Sequence, residues 1–445
     1  MAGLEITTEL VDKARAEFDA EPRFKLSQNA VTRNDVKEVL PRHNITTTYE
    51  DKSFSTKLKE MKATNQKSSG RCWLFAAANC MRLAMKEKYN LPDDFELSQS
   101  YLFFWDKLER ANYFTNAILE TLDEDLDGRL VQHLLSDPLG DGGQWDMAVN
   151  IVLKYGIVPK SQYPESFSSC NTRHMNAFLT AKLRDFACDL RATARELSKE
   201  ELAKKRDAFL AMVYRVLAIH LGTPPTTFDW CYTDTDKKFH RISNLTPLQF
   251  YREYVPFKVE DYQSLIHDPR NAVERVYTVK YLGNVLGGDR ELVKHINVPI
   301  DLIRSLCKKQ LDQGMPVWFG VDVGKEYHRK MAVMDTRLFD YDLVFGTRPA
   351  LSKADRLRYG QSLMTHAMVF TGYNEADGKI DKWRVENSWG KDVGDSGYYL
   401  MTDEWFDEYL YQIVAPKAMV EEMVKVDMKD VVELPPWDPM GALAC

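Results

Sequence analysis

Residues 66–78 of the chain read Gln-Lys-Ser-Ser-Gly-Arg-Cys-Trp-Leu-Phe-Ala-Ala-Ala. A polar turn that contains Gly70 precedes a run of good helix formers, so Cys72 is predicted to lie in the first turn of a helix. The unpaired amides and the dipole of a helix N-terminus stabilise negative charge and therefore favour a thiolate over a thiol. Gln66 is six residues upstream and can place its side-chain amide beside the same sulfur. A nucleophile and an oxyanion donor are half of an acyl-transfer site.

Two apolar stretches far downstream contain residues that would complete such a site. His366 begins one stretch and Asn387 ends the next, 21 positions later. That spacing is enough for a strand, a turn and a returning strand. In such a hairpin the Asn amide can bind one imidazole nitrogen while the other nitrogen faces the thiol. The order Cys, His, Asn is typical of papain-like cysteine peptidases.

Each of these residues also has an ordinary interpretation. A lone cysteine near an apolar helix is usually a small buried hydrophobic residue. A histidine at the edge of a strand is usually structural, and an asparagine before Ser-Trp-Gly can simply begin a turn. The presence of all three in this order, with Gln66 upstream and a tryptophan on each side, favours the catalytic interpretation.

The composition limits the classes of partner. The chain has 445 residues, of which 44% are hydrophobic, and a net charge of −7. These values predict a packed globular protein with more than one structural unit, and they argue against nucleic acid or an anionic membrane as the main partner. No apolar run approaches the ~18 residues that span a bilayer, and the start of the sequence shows no secretory pattern, so we expect no membrane segment.

The seven cysteines are scattered, odd in number and without a C-x-x-C pair. This pattern argues against a disulfide framework and against structural zinc. The sequence also lacks the common nucleotide-binding and zinc-peptidase motifs. We therefore expect no metal or organic cofactor, and a reducing compartment, the cytoplasm.

A pair of glycines, Gly142 and Gly143, precedes a helical pattern that begins near Trp145. Adjacent glycines allow a backbone to approach a bound peptide closely and to pair with it as an extra strand. An ordinary turn before a helix accounts for the same residues equally well, and both interpretations stay open at this point.

The remaining patterns predict a mixed fold. Ser198 and Glu201 form a capping box before a long helical pattern. Val317–Val323 is predicted to be a buried strand, and with the strands of His366 and Asn387 it makes the C-terminal third mainly antiparallel sheet. The predicted fold class is α+β.

Three blocks resemble the papain superfamily in the same order: Gln66–Ala78, Asp141–Pro164 and His366–Tyr399. His366 follows Cys72 by 294 residues, against about 130–150 in secreted papain-like enzymes, so well over a hundred residues are inserted. Ser69 stands where secreted relatives have a disulfide-forming cysteine. Together with the C-terminal sequence Pro-Trp-Asp-Pro-Met-Gly-Ala-Leu-Ala, these features resemble the bleomycin hydrolase and bacterial aminopeptidase C family.

The resemblance implies a papain-like fold of two lobes, one helical and one an antiparallel β-sheet or barrel, with a large helical insertion and an arm at each end. The implied parts are an N-terminal arm (1–60), a helical lobe with the nucleophile helix (61–164), a helical insertion subdomain (165–300), a β-rich lobe with the His and Asn (301–415) and a C-terminal arm that reaches the cleft (416–445).

The resemblance also implies a role for each site residue. Cys72 is the nucleophile, His366 is the base and later the acid, and Asn387 orients the imidazole. Gln66 and the backbone amide of Cys72 form the oxyanion hole, and Trp389 shields the His–Asn contact from water. The implied substrate-binding residues are Gly142, Gly143, Trp389, Ala444 and Cys445.

By the same resemblance, the chain is a cysteine aminopeptidase that forms a homohexamer and acts on peptides with a free N-terminus. The C-terminal arm lies in the non-primed half of the cleft, and its terminal carboxylate meets the ammonium group of the substrate. An internal peptide segment would clash with the arm, so the arm selects for N-terminal residues.

Two residues depart from the family's pattern. Arg71 occupies a position that is usually small in papain relatives, which puts the polarity of the cleft in question. Cys445 extends the chain one residue past the Gly-Ala-Leu-Ala ending of bacterial members, and it is either the terminal residue of the active protein or is trimmed. The alternatives to an aminopeptidase are a papain-like endopeptidase whose arm leaves the cleft open and a non-catalytic hexameric scaffold or binding protein.

Overall fold

The protein has an α+β fold in which helices pack against one large β-sheet. A computed structural model describes residues 5–287 and 292–444. Two main hydrophobic cores are found among these residues, one centred on the helices that follow Cys72 and one on the sheet. The predicted fold class is confirmed.

The centre of the sheet is β10 (His366–Ala376), which pairs antiparallel with β7 (Val317–Val321) on one side and β11 (Lys379–Glu386) on the other. The order of strands across the described sheet is β14-β5-β6-β4-β13-β7-β10-β11-β12-β9-β8, with β1 also paired to β10. The remaining strands are β1 Thr56–Lys57, β2 Phe228–Thr233, β3 Phe239–Leu245, β4 Tyr262–Ile266, β5 Arg275–Val279, β6 His295–Asn297, β8 Tyr327–His328, β9 Val333–Met334, β12 Tyr398–Thr402, β13 Leu410–Pro416 and β14 Val431–Leu434.

The helices lie mostly in the first half of the chain. The described α-helices are α1 Thr8–Ala20, α2 Pro22–Val31, α3 Val36–Val39, α4 His43–Thr46, α5 Cys72–Tyr89, α6 Gln99–Glu120, α7 Arg129–Ser136, α8 Trp145–Tyr155, α9 Phe167–Cys170, α10 Arg173–Thr193, α11 Lys199–Leu221, α12 Pro247–Gln249, α13 Ile300–Asp312, α14 Tyr341–Phe345, α15 Lys353–Arg358, α16 Asp403–Tyr409 and α17 Lys417–Met423. Short 3-10 helices cover Thr47–Glu50, Val259–Asp261 and Pro439–Ala444, and a π-helix covers Phe250–Tyr254.

Helix α5 begins at Cys72, as the sequence predicts, and its residues from Cys72 to Leu83 are all buried. It ends at Tyr89 and is capped by Asn90, which has a left-handed backbone (φ 51°) and donates its N–H to the carbonyl of Lys86. A left-handed C-cap of this kind satisfies a carbonyl in the last turn. Helix α5 is therefore a central core helix, and its first turn is held rigidly.

The hairpin of β10 and β11 presents the two other predicted catalytic residues. It turns at Asp377 and Gly378, both with positive φ (51° and 74°), a conformation that favours short two-residue hairpin turns. His366 is the first residue of β10, and Asn387 directly follows the last residue of β11. The hairpin thus brings the start of one strand next to the end of the other.

In the segment predicted as a helical insertion, 165–300, the long helices end at Leu221, and the later helical turns Pro247–Gln249, Phe250–Tyr254 and Val259–Asp261 are short. Helix α11 has the predicted capping box, in which Ser198 and Glu201 bond to each other's backbone N–H. The segment then forms the hairpin of β2 and β3 and contributes β4, β5 and β6 to the main sheet. Short apolar runs such as these cannot be assigned to helix or strand by periodicity alone.

The C-terminal segment crosses back over the molecule. Strand β14 pairs parallel with β5, and the chain then forms the 3-10 helix Pro439–Ala444. Within the described ranges, no helix is long and apolar enough to cross a membrane.

Candidate active site

The nucleophile candidate lies where the two cores meet. Cys72 is the first residue of α5 and is 4% exposed. The backbone N–H of Ala367, the second residue of β10, donates to Cys72 Sγ at 3.4 Å. Trp318 in β7 donates its indole N–H to the carbonyl of Trp73 at 3.2 Å. These contacts join the start of the helix to the start of the His366 strand.

Asn387 and Trp389 hold the imidazole of His366. His366 Nε2 lies 2.8 Å from Asn387 Oδ1. Because that oxygen only accepts, Nε2 carries the proton, and Nδ1 of the neutral ring is left to accept a proton from a thiol. The Trp389 ring centroid lies 4.9 Å from that of His366, so the indole packs against the imidazole.

Burial opposes the charged form of both reactive groups. It raises the pKa of the Cys72 thiol to about 11, although the backbone N–H groups of Ala367, Trp73 and Cys72 itself act in the opposite direction. Burial likewise lowers the pKa of His366 to about 4, against the effect of the hydrogen bond with Asn387. The thiolate that the helix N-terminus predicts is therefore opposed by burial, and we expect attraction to a protonated His366 to be needed beside the backbone N–H groups to stabilise it at neutral pH.

Ser388 fixes the side-chain amide of Gln66. Its hydroxyl donates to Gln66 Oε1 at 2.6 Å, and its carbonyl accepts from the backbone N–H of Gln66 at 2.8 Å. Gln66 Nε2 in turn donates to the carbonyl of Ser69 at 2.6 Å. One of the two amide N–H groups is thus used within the loop and the second is left over. Local patterns gave no indication of the part played by Ser388.

Arg71 points into the core rather than into the cleft. The side chain is fully buried, with Nη2 at 2.9 Å from Glu165 Oε2, and its guanidinium lies 5.3 Å from the Phe103 ring centroid. The ion pair with Glu165 and the aromatic contact compensate the buried charge. Because the guanidinium is buried and paired, Arg71 does not place an exposed positive charge in the cleft.

Asp141 ties the Gly142–Gly143 turn to the nucleophile loop. It accepts from the backbone N–H of Gly70 at 3.1 Å and pairs with Lys107 Nζ at 2.7 Å. Burial raises the pKa of Asp141, but Lys107 and hydrogen bonds from polar neighbours outweigh it and hold the pKa well below its usual range. The carboxylate therefore stays charged.

The two glycines are required by packing. A Cβ on Gly143 would overlap the indole of Trp73, and the Trp73 indole N–H donates to the carbonyl of Asp141 at 2.8 Å. Gly142 is buried, and its carbonyl accepts from Arg110. The turn therefore packs on Trp73, the residue after Cys72. This packing alone explains why position 143 is a glycine, without any role in substrate binding.

The end of the C-terminal arm lies at this same turn. The carbonyl of Met440 accepts from Gln144 Nε2 at 3.1 Å, and the carbonyl of Ala444 accepts from Arg110 Nη1 at 3.1 Å. Met440 is fully buried and Leu443 is 3% exposed. Ala444 is thus placed next to the predicted site, whereas Cys445 lies outside the described residues.

A buried ion pair locks the nucleophile helix to the strand that precedes Asn387. Arg82 Nη2 donates to Glu386 Oε1 at 2.5 Å and to the carbonyl of Lys62 at 3.0 Å. The two partners are 304 positions apart, so no local pattern could have paired them. In the described ranges, no three His, Cys, Asp or Glu side chains are grouped as a metal-ion site.

Comparisons with known proteins assign the chain to one family. The model of the Peptidase C1-like family matches residues 5–441. The chain is similar to bleomycin hydrolase of Gallus gallus (46% identity, covering 99% of each chain) and to aminopeptidase C of Lactobacillus delbrueckii subsp. lactis (40%, 99% of each). It is also similar to the crystal structure of PepW from Lactobacillus rhamnosis HN001, with a TM-score of 0.95, 43% identity and coverage of 98% of this chain and 99% of that one.

Proposed function

Since the chain belongs to the Peptidase C1-like family and is a papain-like cysteine peptidase, we propose that it removes N-terminal residues from peptides through a thioester acyl-enzyme. The names of its relatives, bleomycin hydrolase and aminopeptidase C, support an aminopeptidase. The residues proposed for catalysis are Cys72, His366, Asn387 and Gln66.

In the first step Cys72 Sγ attacks the carbonyl carbon of the first peptide bond. The thiol proton passes to His366 Nδ1, which is the nitrogen that Asn387 leaves available. The same nitrogen then protonates the departing amine, and the acyl group stays on sulfur as a thioester.

In the second step water replaces the departed amine. His366 takes a proton from the water, the resulting hydroxide attacks the thioester, and the C–S bond breaks to release the acid and the thiol. In both steps the backbone N–H of Cys72 and the second amide N–H of Gln66 would stabilise the negative oxygen. The hydrogen bonds of Gln66 to Ser388 and Ser69 keep that amide in place before the substrate arrives.

The observation that carries the proposed selectivity is the position of the arm. Ala444 and Met440 are held at the turn that packs on Trp73, one residue from the nucleophile. An arm in this position would block the path of a peptide that continues beyond its N-terminal residue. A terminal carboxylate beyond Ala444 would attract the ammonium group of a peptide that ends there.

Deletion of residues 440–445 tests this selectivity. We expect the truncated protein to lose most of its activity on a free aminoacyl amide and to gain activity on the N-acetylated form of the same amide. The matched control is Cys72→Ala in the full-length and truncated chains, which should abolish both activities. A full-length protein that prefers the N-acetylated amide would indicate an endopeptidase. A Cys72→Ala protein that keeps its full biological effect would indicate a non-catalytic scaffold or binding protein.

We further propose that the chain assembles as a homohexamer. Helix α1 buries none of its residues, and its apolar residues Leu10 and Val11 are 55% and 43% exposed. Apolar side chains exposed on a short helix favour burial against another copy of the chain. The six described cysteines are free, which supports a reducing compartment such as the cytoplasm.

A further inference from the structure

One buried arginine joins the end of the arm to the glycine turn. Arg110, in α6, donates from Nη1 to the carbonyl of Ala444 at 3.1 Å and from Nη2 to the carbonyl of Gly142. Its Nε donates to Asp106 Oδ2 at 2.8 Å. The side chain is 9% exposed. A single planar group therefore bonds both to the end of the arm and to the turn beside Trp73, in addition to the bond of Gln144 to Met440.

The orientation of Arg110 is itself held from behind. Asp106 is fully buried, and its second carboxylate oxygen accepts from Asn284 Nδ2 at 2.8 Å. Asn284 also donates to the carbonyl of Met147 at 3.1 Å. A buried carboxylate is stable only when it is paired and hydrogen-bonded, and Arg110 and Asn284 together satisfy Asp106. The guanidinium is thus clamped on its Nε side, and its two terminal nitrogens are aimed at backbone carbonyls.

Nothing in this arrangement touches the reacting atoms. A charge-assisted bond to a main-chain carbonyl holds the chain in one position whatever its side chains are. The fork geometry of arginine allows three acceptors to be bound at once, which the single ammonium of lysine cannot reproduce at the same positions.

We propose that Arg110 is a positioning residue for substrate selection. It holds the last residues of the arm beside the glycine turn, where they leave room in the cleft for a single N-terminal residue of the substrate. This inference rests on the proposed function, because it names the group that keeps the blocking arm in place. Without Arg110 the arm would stay joined to the sheet through β14 and to the core through Met440, but its final residues would be released from the turn.

The test compares the wild type with Arg110→Met and Arg110→Lys. The quantity measured is the ratio of kcat/KM for a free aminoacyl amide to kcat/KM for its N-acetylated form. We expect Arg110→Met to lower this ratio by about tenfold or more, mainly because turnover of the acetylated substrate rises. Arg110→Lys keeps a charge for Asp106 but cannot bind both carbonyls, so we expect an intermediate ratio.

The control for losing a partly buried arginine is Arg304→Met. Arg304 lies in α13 and pairs with Asp301 and Asp403, none of which contacts the arm or the glycine turn in the hydrogen bonds and ion pairs described above, so its loss should leave the ratio unchanged. Adding Arg110→Met to the 440–445 deletion should also leave the ratio of the deletion unchanged, because the segment that Arg110 holds is already absent.

The outcomes separate this inference from the proposed function. A wild type without preference for the free amide overturns both. A second outcome overturns only the role of Arg110: the preference of the wild type is lost on deletion of 440–445, but a folded Arg110→Met protein keeps it. If Arg110→Met does not fold, Arg110→Lys takes its place in this comparison. Arg110 would then be a structural partner of Asp106. A further fall in the ratio when Arg110→Met is added to the deletion also counts against it, because Arg110 would then act on the substrate by another route.

Discussion

At the level of single residues, we expect the charge states of Cys72 and His366 to depend on each other. Burial makes the neutral thiol and the neutral imidazole the favoured forms of Cys72 and His366 when each is considered by itself. The helix N-terminus and the amide of Ala367 favour the thiolate, but their effect is smaller than that of burial. The sulfur accepts from the backbone N–H of Ala367, the neighbour of His366, and we expect a proton passed from sulfur to His366 to leave two opposite charges that attract each other in a site of low polarity.

This balance predicts how the reactivity of Cys72 changes in His366→Ala. Without an imidazolium, the thiol keeps a pKa near the buried value of about 11, so its thiolate fraction falls with each unit of pH below that value. We expect alkylation of Cys72 by iodoacetamide to be about a hundredfold or more slower at neutral pH than in the wild type, and to rise steadily with pH. Peptide mapping must locate the label, because Cys188 and Cys231 are exposed.

The control is His295→Asn, which removes another fully buried histidine whose pKa burial lowers to about 4. It lies in β6, away from the hairpin of His366 and Asn387, and its alkylation profile should match that of the wild type. Superimposable profiles for the wild type and His366→Ala would show that the sulfur ionises without His366.

At the level of elements, the site depends on how closely a turn and a helix pack. The Gly142–Gly143 turn lies on the indole of Trp73, the second residue of α5. Trp73 is fully buried, so it cannot move aside without disturbing the first turn of the helix. The geometry of the nucleophile therefore depends on the absence of a side chain at position 143.

Gly143→Ala tests this dependence. The added methyl would overlap the indole, and overpacking of this kind costs about 1–3 kcal/mol. We expect a lower midpoint of urea unfolding and a lower kcat/KM, with a smaller effect on the ratio of free to N-acetylated substrate. Gly324→Ala is the matched control, because a methyl on that exposed glycine meets only Asp322 Oδ1, at 3.8 Å. Equal stability and activity of the two variants would mean that the turn is not tightly packed in solution.

At the level of the whole molecule, α1 is the element whose apolar residues are least explained by a single chain. It buries none of its residues, and Leu10 and Val11 are 55% and 43% exposed. If copies of the chain cover this helix, the double substitution Leu10→Lys and Val11→Lys should reduce the molar mass measured by light scattering after gel filtration. Ala16→Lys adds a charge on a different face of the same helix and should leave the mass unchanged. A wild type that runs as a monomer would remove the basis for the hexamer.

The sequence was informative where chemistry is local. The N-terminus of α5, the start of β10 and the end of β11 were each predicted from a few neighbouring residues, because helix and strand signals act over one or two turns. The capping box of α11 was predicted for the same reason. The α+β class and the papain-like peptidase family are confirmed, whereas the domain boundaries and the role of each site residue stay predictions.

By itself, then, the sequence determined the family and the fold class, and it predicted which local element presents each residue proposed for the site. Only the tertiary structure decided their environment: Arg82 with Glu386, Arg110 with Ala444, and Asp141 with Lys107 and Gly70. It also decided that burial opposes the charged forms of both Cys72 and His366 and that β4, β5 and β6 belong to the main sheet. The physical reason is that desolvation and long-range pairing depend on what surrounds a group after the chain has folded. Contacts between residues about three hundred positions apart produce no periodic pattern in the sequence.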